Sequence, residues 1–223
     1  MFLGNNLLAF LGWNPGTDQE IFRKSDLIET FSLERVGKSG AKFDFEKAKW
    51  FNQQYIMAKS NEELAAHIAP AAKALGYEAS DEFLSIFCGL MKERVVLYPD
   101  FLEKGYYFFK PVATYENKMV RKKWKPERRD LFENMKNQLG ALEDFSGANI
   151  ETAVKAFMEA NGLGFGDVLS VLRLALSGTM KGPAVLREAR AFFGCASAPF
   201  VPLEDVVAES HNGAPPHWET VQH

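Results

Sequence analysis

The stretch SNEELAAHIAPAAKALGYEASDEFLSIFCGLMKERV, residues Ser60 to Val95, reads as two helices joined by a short turn. Ser60 and Glu63 stand at capping-box spacing, where a hydroxyl takes one orphan backbone N–H and a carboxylate takes another. Gly76 is a natural stop, because glycine enters the left-handed conformation without a Cβ penalty. Pro70 lacks an N–H and its ring meets the carbonyl four residues back, so a kink or a break is expected there. A second helix starts at Ser80 or Asp81, and its apolar residues recur every three to four positions.

The same period extends outward in both directions. DFEKAKWFNQQYIMAK begins at Asp44 as an N-cap and lines up Ala48, Phe51, Tyr55 and Ile56, apart from Phe45, Lys49 and Asn52. After LYPDFLEKGYYFFKP, which reads as a proline- and aromatic-rich connection, come RRDLFENMKNQLGAL and NIETAVKAFMEANG. In the latter, Asn149 with Glu151 and Thr152 marks a start and Gly162 a stop. DVLSVLRLALSG and PAVLREARAFFG follow, ended by Gly178 and Gly194, with Pro183 in a first helical turn. Sustained period-two alternation and repeats of fixed period are both hard to find. The expectation is an all-α chain of about eight to ten helices.

With 223 residues, 47% hydrophobic and 25% charged, the chain can bury one large core or two small ones. No apolar run approaches the ~18 residues of a spanning helix. The N-terminal MFLGNNLLAFLGW lacks a basic leader, so a signal peptide is not expected. Two cysteines, Cys88 and Cys195, make no disulfide framework and fit a reducing cytoplasm. A net charge of −3 does not advertise a nucleic-acid binder, yet Lys110 to Asp130 holds eight Lys or Arg against three Asp or Glu, a local +5. That run is either a solvated face or a nucleic-acid contact.

Most chemistry can be set aside. SLERVGKSGAKFDF, residues 32–45, contains Gly37, Lys38 and Ser39, the closing letters of a phosphate-binding loop, but Ser32 stands where the first glycine belongs. No buried strand precedes it, and a helical DLIETFSLER comes before an irregular GAKFDF. Three of the four histidines, His211, His217 and His223, lie in the proline-containing stretch after Cys195, which is expected to be loosely ordered. His67 has no Cys or carboxylate at ligand spacing, so no metal site is expected. A Cys-His nucleophile from Cys88 and His67 is the weakest of the open readings.

Longer strings carry a resemblance. LLAFLGWNPGTDQEIF, FSLERVGKSGAKFDFEKAKWFNQQYI, WKPERRDLF and ALEDFSGANIETAVKAFMEANGLGFGDVLSVLRLALSGTMKGP, in order from about Leu7 to Gly194, resemble bacterial-type glutamyl-tRNA synthetases downstream of their catalytic domain. The two ATP-binding signatures of class I synthetases, HIGH-like and KMSKS-like, are absent; in the family both lie upstream of the matching region. The resemblance implies a stem-contact remnant (1–42), two helical anticodon-binding subdomains (43–110 and 111–194) and an irregular tail (195–223). Related glutaminyl enzymes use β-barrels instead, so the helical period favours the bacterial type.

It further implies a glutamate tRNA as partner, with no DNA, no membrane and a monomeric chain in the cytoplasm. No cofactor is expected here; ATP and Mg belong to the full-length ligase, and this portion alone is not expected to be catalytic. Arg94, in LMKERVVLYPDFLEKGYYFF, matches an arginine that reads the third anticodon base, or else serves its helix C-terminus. SVLRLALSGTMKGPAV matches the segment that contacts the first two bases, pointing to Arg173, Gly182, Pro183 and Val185. Lys38, Lys155 and Lys181 correspond to positions near the tRNA backbone, Lys38, in the link into the first anticodon-binding helix, being either such a contact or a solvated turn lysine. Gly182 and Ala184-Val185 depart from the family pattern, as does FFGCASAPF in place of a closing LLGKE helix. A reading from another class stays open: a helical protein-interaction or structural module, with the acidic net charge in its favour. Against it would stand Lys110, Lys118, Arg121, Lys122, Lys123, Arg128 and Arg129 gathered on a tRNA-facing side.

Overall fold

Helix follows helix in a chain whose structure, a computed structural model, describes residues 5–38, 40–110, 112, 114–144 and 146–182. The α-helices are α1 (Asn5–Ala9), α2 (Lys24–Thr30), α3 (Phe45–Ala58), α4 (Asn61–Ala74), α5 (Asp81–Met91), α6 (Tyr98–Lys104), α7 (Asn117–Lys123), α8 (Arg129–Gly140), α9 (Gly147–Ala160) and α10 (Phe165–Ser177). Short 3-10 turns occupy Leu33–Arg35, Lys92–Arg94, Tyr106–Phe108 and Pro126–Arg128. Among the described residues there is no strand beyond one bridge between Trp13 and Val36. The expected all-α class is what the chain adopts. PAVLREARAFFG and the tail after Cys195 lie outside the described residues.

The caps explain where the helices begin. Asp44 accepts from the backbone N–H groups of Glu46 and Lys47 at 2.9 and 3.1 Å. Ser60 and Glu63 close the reciprocal box at 3.1 and 2.9 Å. Ser80, not Asp81, caps α5 by accepting from the Phe83 N–H at 3.2 Å. Each such bond stabilises its helix by about 1 kcal/mol, because it satisfies a donor the helix itself cannot.

Three expectations need correction. Pro70 neither ends nor interrupts α4, which runs on to Ala74. It lies exposed on the helix surface while Leu64, Ala65, Ile68 and Ala72 are buried, and packing of that face outweighs the lost backbone bond. The cap of α9 is Ser146, three residues before Asn149, whose own N–H donates to the Ser146 hydroxyl at 3.3 Å. The aromatic connection after Arg94 holds a real helix, α6. Its start is secured by Asp100, which accepts from the Val96 and Leu97 N–H groups at 2.9 and 3.1 Å and pairs with Lys104 at 2.8 Å. Burial, the largest single influence, pushes the Asp100 carboxyl up, but the Lys104 and backbone donors together outweigh it and hold the group low.

One large apolar cluster runs from Ile56 to Leu176, joining α4 and α5 to α6, α8, α9 and α10. Its centre is aromatic: Phe87 meets Phe109 and Phe108 at centroid separations of 4.9 and 5.1 Å, and Tyr77 stacks on Phe109 at 4.7 Å. A second, small cluster of Trp13, Phe22 and Leu27 holds the N-terminal part together. It reaches α3 through Phe10 and Phe51, 5.9 Å apart. Buried Asn6 ties the two by donating to the Phe22 carbonyl at 2.9 Å and the Tyr55 hydroxyl at 2.7 Å, while accepting from the Phe22 N–H.

Candidate nucleic-acid interface

Arg94 ends the 3-10 turn Lys92–Arg94 that continues from α5, and its side chain is exposed. The backbone there is fixed from both sides. The Arg94 carbonyl accepts from the Lys104 ammonium at 3.4 Å, and the neighbouring Glu93 carbonyl accepts from Gln53 of α3. The Asn52 side chain donates to the Val96 carbonyl just beyond. An arginine held this way presents a planar fork from a rigid base, which is what reading a base edge requires.

Lys104 also rims a cleft of about 270 Å³, with Tyr106, Tyr115, Glu116, Ser177 and Thr179 around it. The far wall is the end of α10. Gly178 takes φ 70°, the Glu116 N–H donates to the Gly178 carbonyl at 2.8 Å, and the Thr179 hydroxyl bonds the Glu116 carboxylate. From this anchor the chain passes to Lys181, whose N–H donates to the Thr179 hydroxyl at 3.2 Å, and to Gly182 with φ 151°. Arg173, one turn earlier, is partly buried, and its carbonyl accepts from the Ser177 hydroxyl at 2.8 Å. The cleft thus stands between the backbone that carries Arg94 and the backbone that leads to Gly182. Pro183 and Val185 lie outside the described residues.

The remaining lysines are more scattered. Lys155 is exposed on α9 and pairs with Glu151 at 2.7 Å. Lys38 is exposed at a bend whose preceding Gly37 N–H donates to the Gly12 carbonyl at 2.6 Å, and Ser39 lies outside the described residues. A 3-10 turn precedes this bend and α3 starts only at Phe45, so no strand-loop-helix cradle for a phosphate is built.

The basic run is an element rather than a purely solvated tether. Lys118, Arg121, Lys122 and Lys123 belong to α7, which buries Val120, and Trp124 packs on Phe132 at 5.7 Å. Lys110 sits over the Tyr106 ring at 5.7 Å. Arg128 pairs with Asp167 at 2.8 Å, and that bond is the main cause holding the Asp167 carboxyl below its usual value. Arg129 opens α8 and is exposed. Sequence reasoning missed Tyr106, Tyr115 and Glu116; their only signal was membership of an aromatic, basic connection.

Catalytic readings lose their footing in the geometry. Cys88 is fully buried, and burial pushes its thiol up to about 12, so almost none is thiolate at neutral pH. His67 instead packs against the Tyr98 ring at 4.1 Å. In peptide mapping after iodoacetamide, Cys88 is expected to stay unmodified in the folded protein and to react once denaturant is added. Rapid native alkylation would contradict its burial. Among the described residues no group of three or more His, Cys, Asp or Glu could hold a metal ion, and no helix is long and apolar enough to cross a membrane.

The anticodon binding domain family model matches residues 60–194, from the cap of α4 through the large core. The chain belongs to that family. It is 40% identical over 184 residues to a glutamate–tRNA ligase of Christiangramia forsetii, covering 82% of this chain and 36% of the ligase. With the glutamate–tRNA ligase of Phocaeicola vulgatus the identity is 43% over 178 residues, 80% of this chain and 35% of the relative. The chain therefore spans about a third of the length of these relatives. Among solved structures, a glutamate tRNA ligase from Elizabethkingia meningosepticum superposes with a TM-score of 0.79 at 33% identity, covering 97% of this chain and 40% of that one. The glutamate-tRNA synthetase of Elizabethkingia anophelis gives 0.80 at 33%, covering 91% and 39%. The all-helical expectation and the resemblance to glutamyl-tRNA synthetases both agree with these matches.

Proposed function

We propose that this chain binds the anticodon arm of a glutamate tRNA, as the recognition portion of a glutamate–tRNA ligase. The observation that carries this reading is the family match over residues 60–194, which coincides with the fold's main core and contains both Arg94 and Gly182. In this reading residues 43–110 and 111–194 are the two anticodon-binding halves, and 1–42 meets the stem. Activation of glutamate with ATP and magnesium belongs to the whole ligase in the cytoplasm; this chain acts as a monomer and contributes selection, not catalysis.

Anticodon bases are unstacked in a single-stranded loop, so their edges are open to a planar donor. The exposed Arg94 fork on its braced backbone fits the third base. Gly182, Pro183 and Val185, with Arg173, serve the first two, and Lys38, Lys155 and Lys181 meet phosphates. Arg94→Ala should cost about 1–3 kcal/mol, roughly 5- to 150-fold, on the cognate tRNA and little on a tRNA with the third anticodon base changed. Fluorescence anisotropy with both tRNAs over a salt series measures this. Equal losses on both tRNAs, with a shallower salt slope, would make Arg94 a phosphate contact instead.

A further inference from the structure

Helix α7 carries more positive charge than the fold around it neutralises. Of the chain's net −3, residues 110–130 contribute +5, so the rest of the molecule stands at −8. Lys118, Arg121 and Lys122 follow at the three- and four-residue spacing that shares one helix face, and all three are exposed. Val120, which the helix buries, lies on the opposite face. Lysines on α3, α6, α8 and α9 have carboxylate partners: Lys47 with Glu20, Lys104 with Asp100, Lys136 with Glu133 and Lys155 with Glu151. Lys118, Lys122 and Lys123 have none among the described residues. Lys118 and Lys122, four apart, repel each other instead. The helix dipole accounts for cations in the last turn of α7 but opposes Lys118, which sits in the first.

This face is continuous with the segment that leads to Gly182. Helix α7 packs on α10, and Glu116, just before α7, donates its N–H to the Gly178 carbonyl at 2.8 Å while its carboxylate accepts from the Thr179 hydroxyl. The same hydroxyl accepts from the Lys181 N–H at 3.2 Å. Lys118 thus stands two residues from the anchor that places Lys181 and Gly182. Apolar surface is missing here: among the described residues no exposed large apolar side chain lies between Leu97 and Phe165. A bilayer or a protein partner calls for apolar area as well as charge, whereas phosphates ask only for cations. We propose that the Lys118–Lys122 face of α7, with Lys123 and Lys125, binds backbone phosphates of the same tRNA beside its anticodon, whatever the bases. The identity of the RNA rests on the anticodon reading; the face adds affinity and register without selectivity.

The test uses the full chain, with fluorescence anisotropy on the glutamate tRNA and on its form with the third anticodon base changed, over a potassium chloride series. In the double variant Lys118→Gln with Lys122→Gln, both tRNAs should weaken by the same factor, at least about fivefold at low salt, and the log–log salt slope should flatten by about 1.4–1.8. The preference between the two tRNAs should not change. Both positions are exposed, so the fold stays intact, which circular dichroism checks. Lys59→Gln with Lys136→Gln removes the same charge at lysines held by Glu63 and Glu133, and should move the slope far less. An unaltered slope, an equal change in this control, or a loss confined to the cognate tRNA would each overturn the proposal. Capture of phosphatidylserine vesicles by the wild type alone, with tRNA binding unaltered, would give the face to a membrane instead. A wild type that binds both tRNAs alike, yet loses both in the double variant, strikes the anticodon reading and leaves the phosphate face standing. A kept base preference with an unaltered slope does the reverse, and no tRNA binding by the wild type strikes both.

Discussion

Gly178→Ala should destabilise the folded protein by about 2–4 kcal/mol, seen as a lower urea midpoint with an unchanged slope. Two costs coincide at this residue. Its φ of 70° is left-handed, which strains any side chain, and an added Cβ would fall 2.4 Å from the Thr114 carbonyl oxygen and 2.5 Å from Val112 Cγ1. The oxygen is backbone and cannot swing aside. The Glu116 N–H bond to the Gly178 carbonyl depends on the same approach, so the end of α10 and the start of α7 should loosen together. Binding should weaken with stability, because Lys181 and Gly182 hang from this anchor. A loss below about 0.5 kcal/mol would mean the closure between Thr114 and Gly178 holds nothing.

Phe87→Ala should cost about 3–5 kcal/mol, measured by the same unfolding experiment. The ring is fully buried and meets Phe101, Phe108 and Phe109, so truncation leaves a cavity that rigid aromatic neighbours cannot fill. Gly105 makes the fit one-sided. A Cβ there would lie 2.6 Å from Phe87 Cε2 and 2.7 Å from the Phe101 carbonyl oxygen. Adding Gly105→Ala to Phe87→Ala should therefore recover little, since the backbone clash survives removal of the ring. Substantial recovery would show that the ring alone sets the spacing between α5 and the 3-10 turn Tyr106–Phe108.

Much of the fold was legible because its signals are local. A capping box at Ser60 and Glu63, an Asp at the head of α3 and glycines at 76, 162 and 178 act over four or five residues, the range on which sequence patterns speak. The start of α9 went to Ser146, whose hydroxyl accepts from the Asn149 N–H, so that Asn149, an equally good cap by residue type, lies inside the helix. Helix α6 was hidden because Leu97, where a polar cap would stand, gives no hydroxyl; Asp100 does the capping from inside the helix.

The candidate site divides along the same line. Arg94, Arg173 and Gly182 could be named from strings that resemble a family. That Lys104 joins the Arg94 carbonyl to a cleft shared with Ser177 and Thr179 could not, since Ser177 and Thr179 lie far along the chain from both. Cys88 shows the opposite case. A cysteine and a histidine are nothing more than letters until burial raises the thiol to about 12 and Tyr98 takes the imidazole face.

By itself, then, the sequence determined the helical class, several helix ends and the family, because period, caps and long specific strings are properties of neighbours along the chain. Only the tertiary structure decided that α4 absorbs Pro70, that α7 folds the basic run onto the core, and that Phe31 and Val36 stay exposed beside the buried Trp13. These depend on which distant side chains share one buried space, and that competition is settled by the packed molecule as a whole.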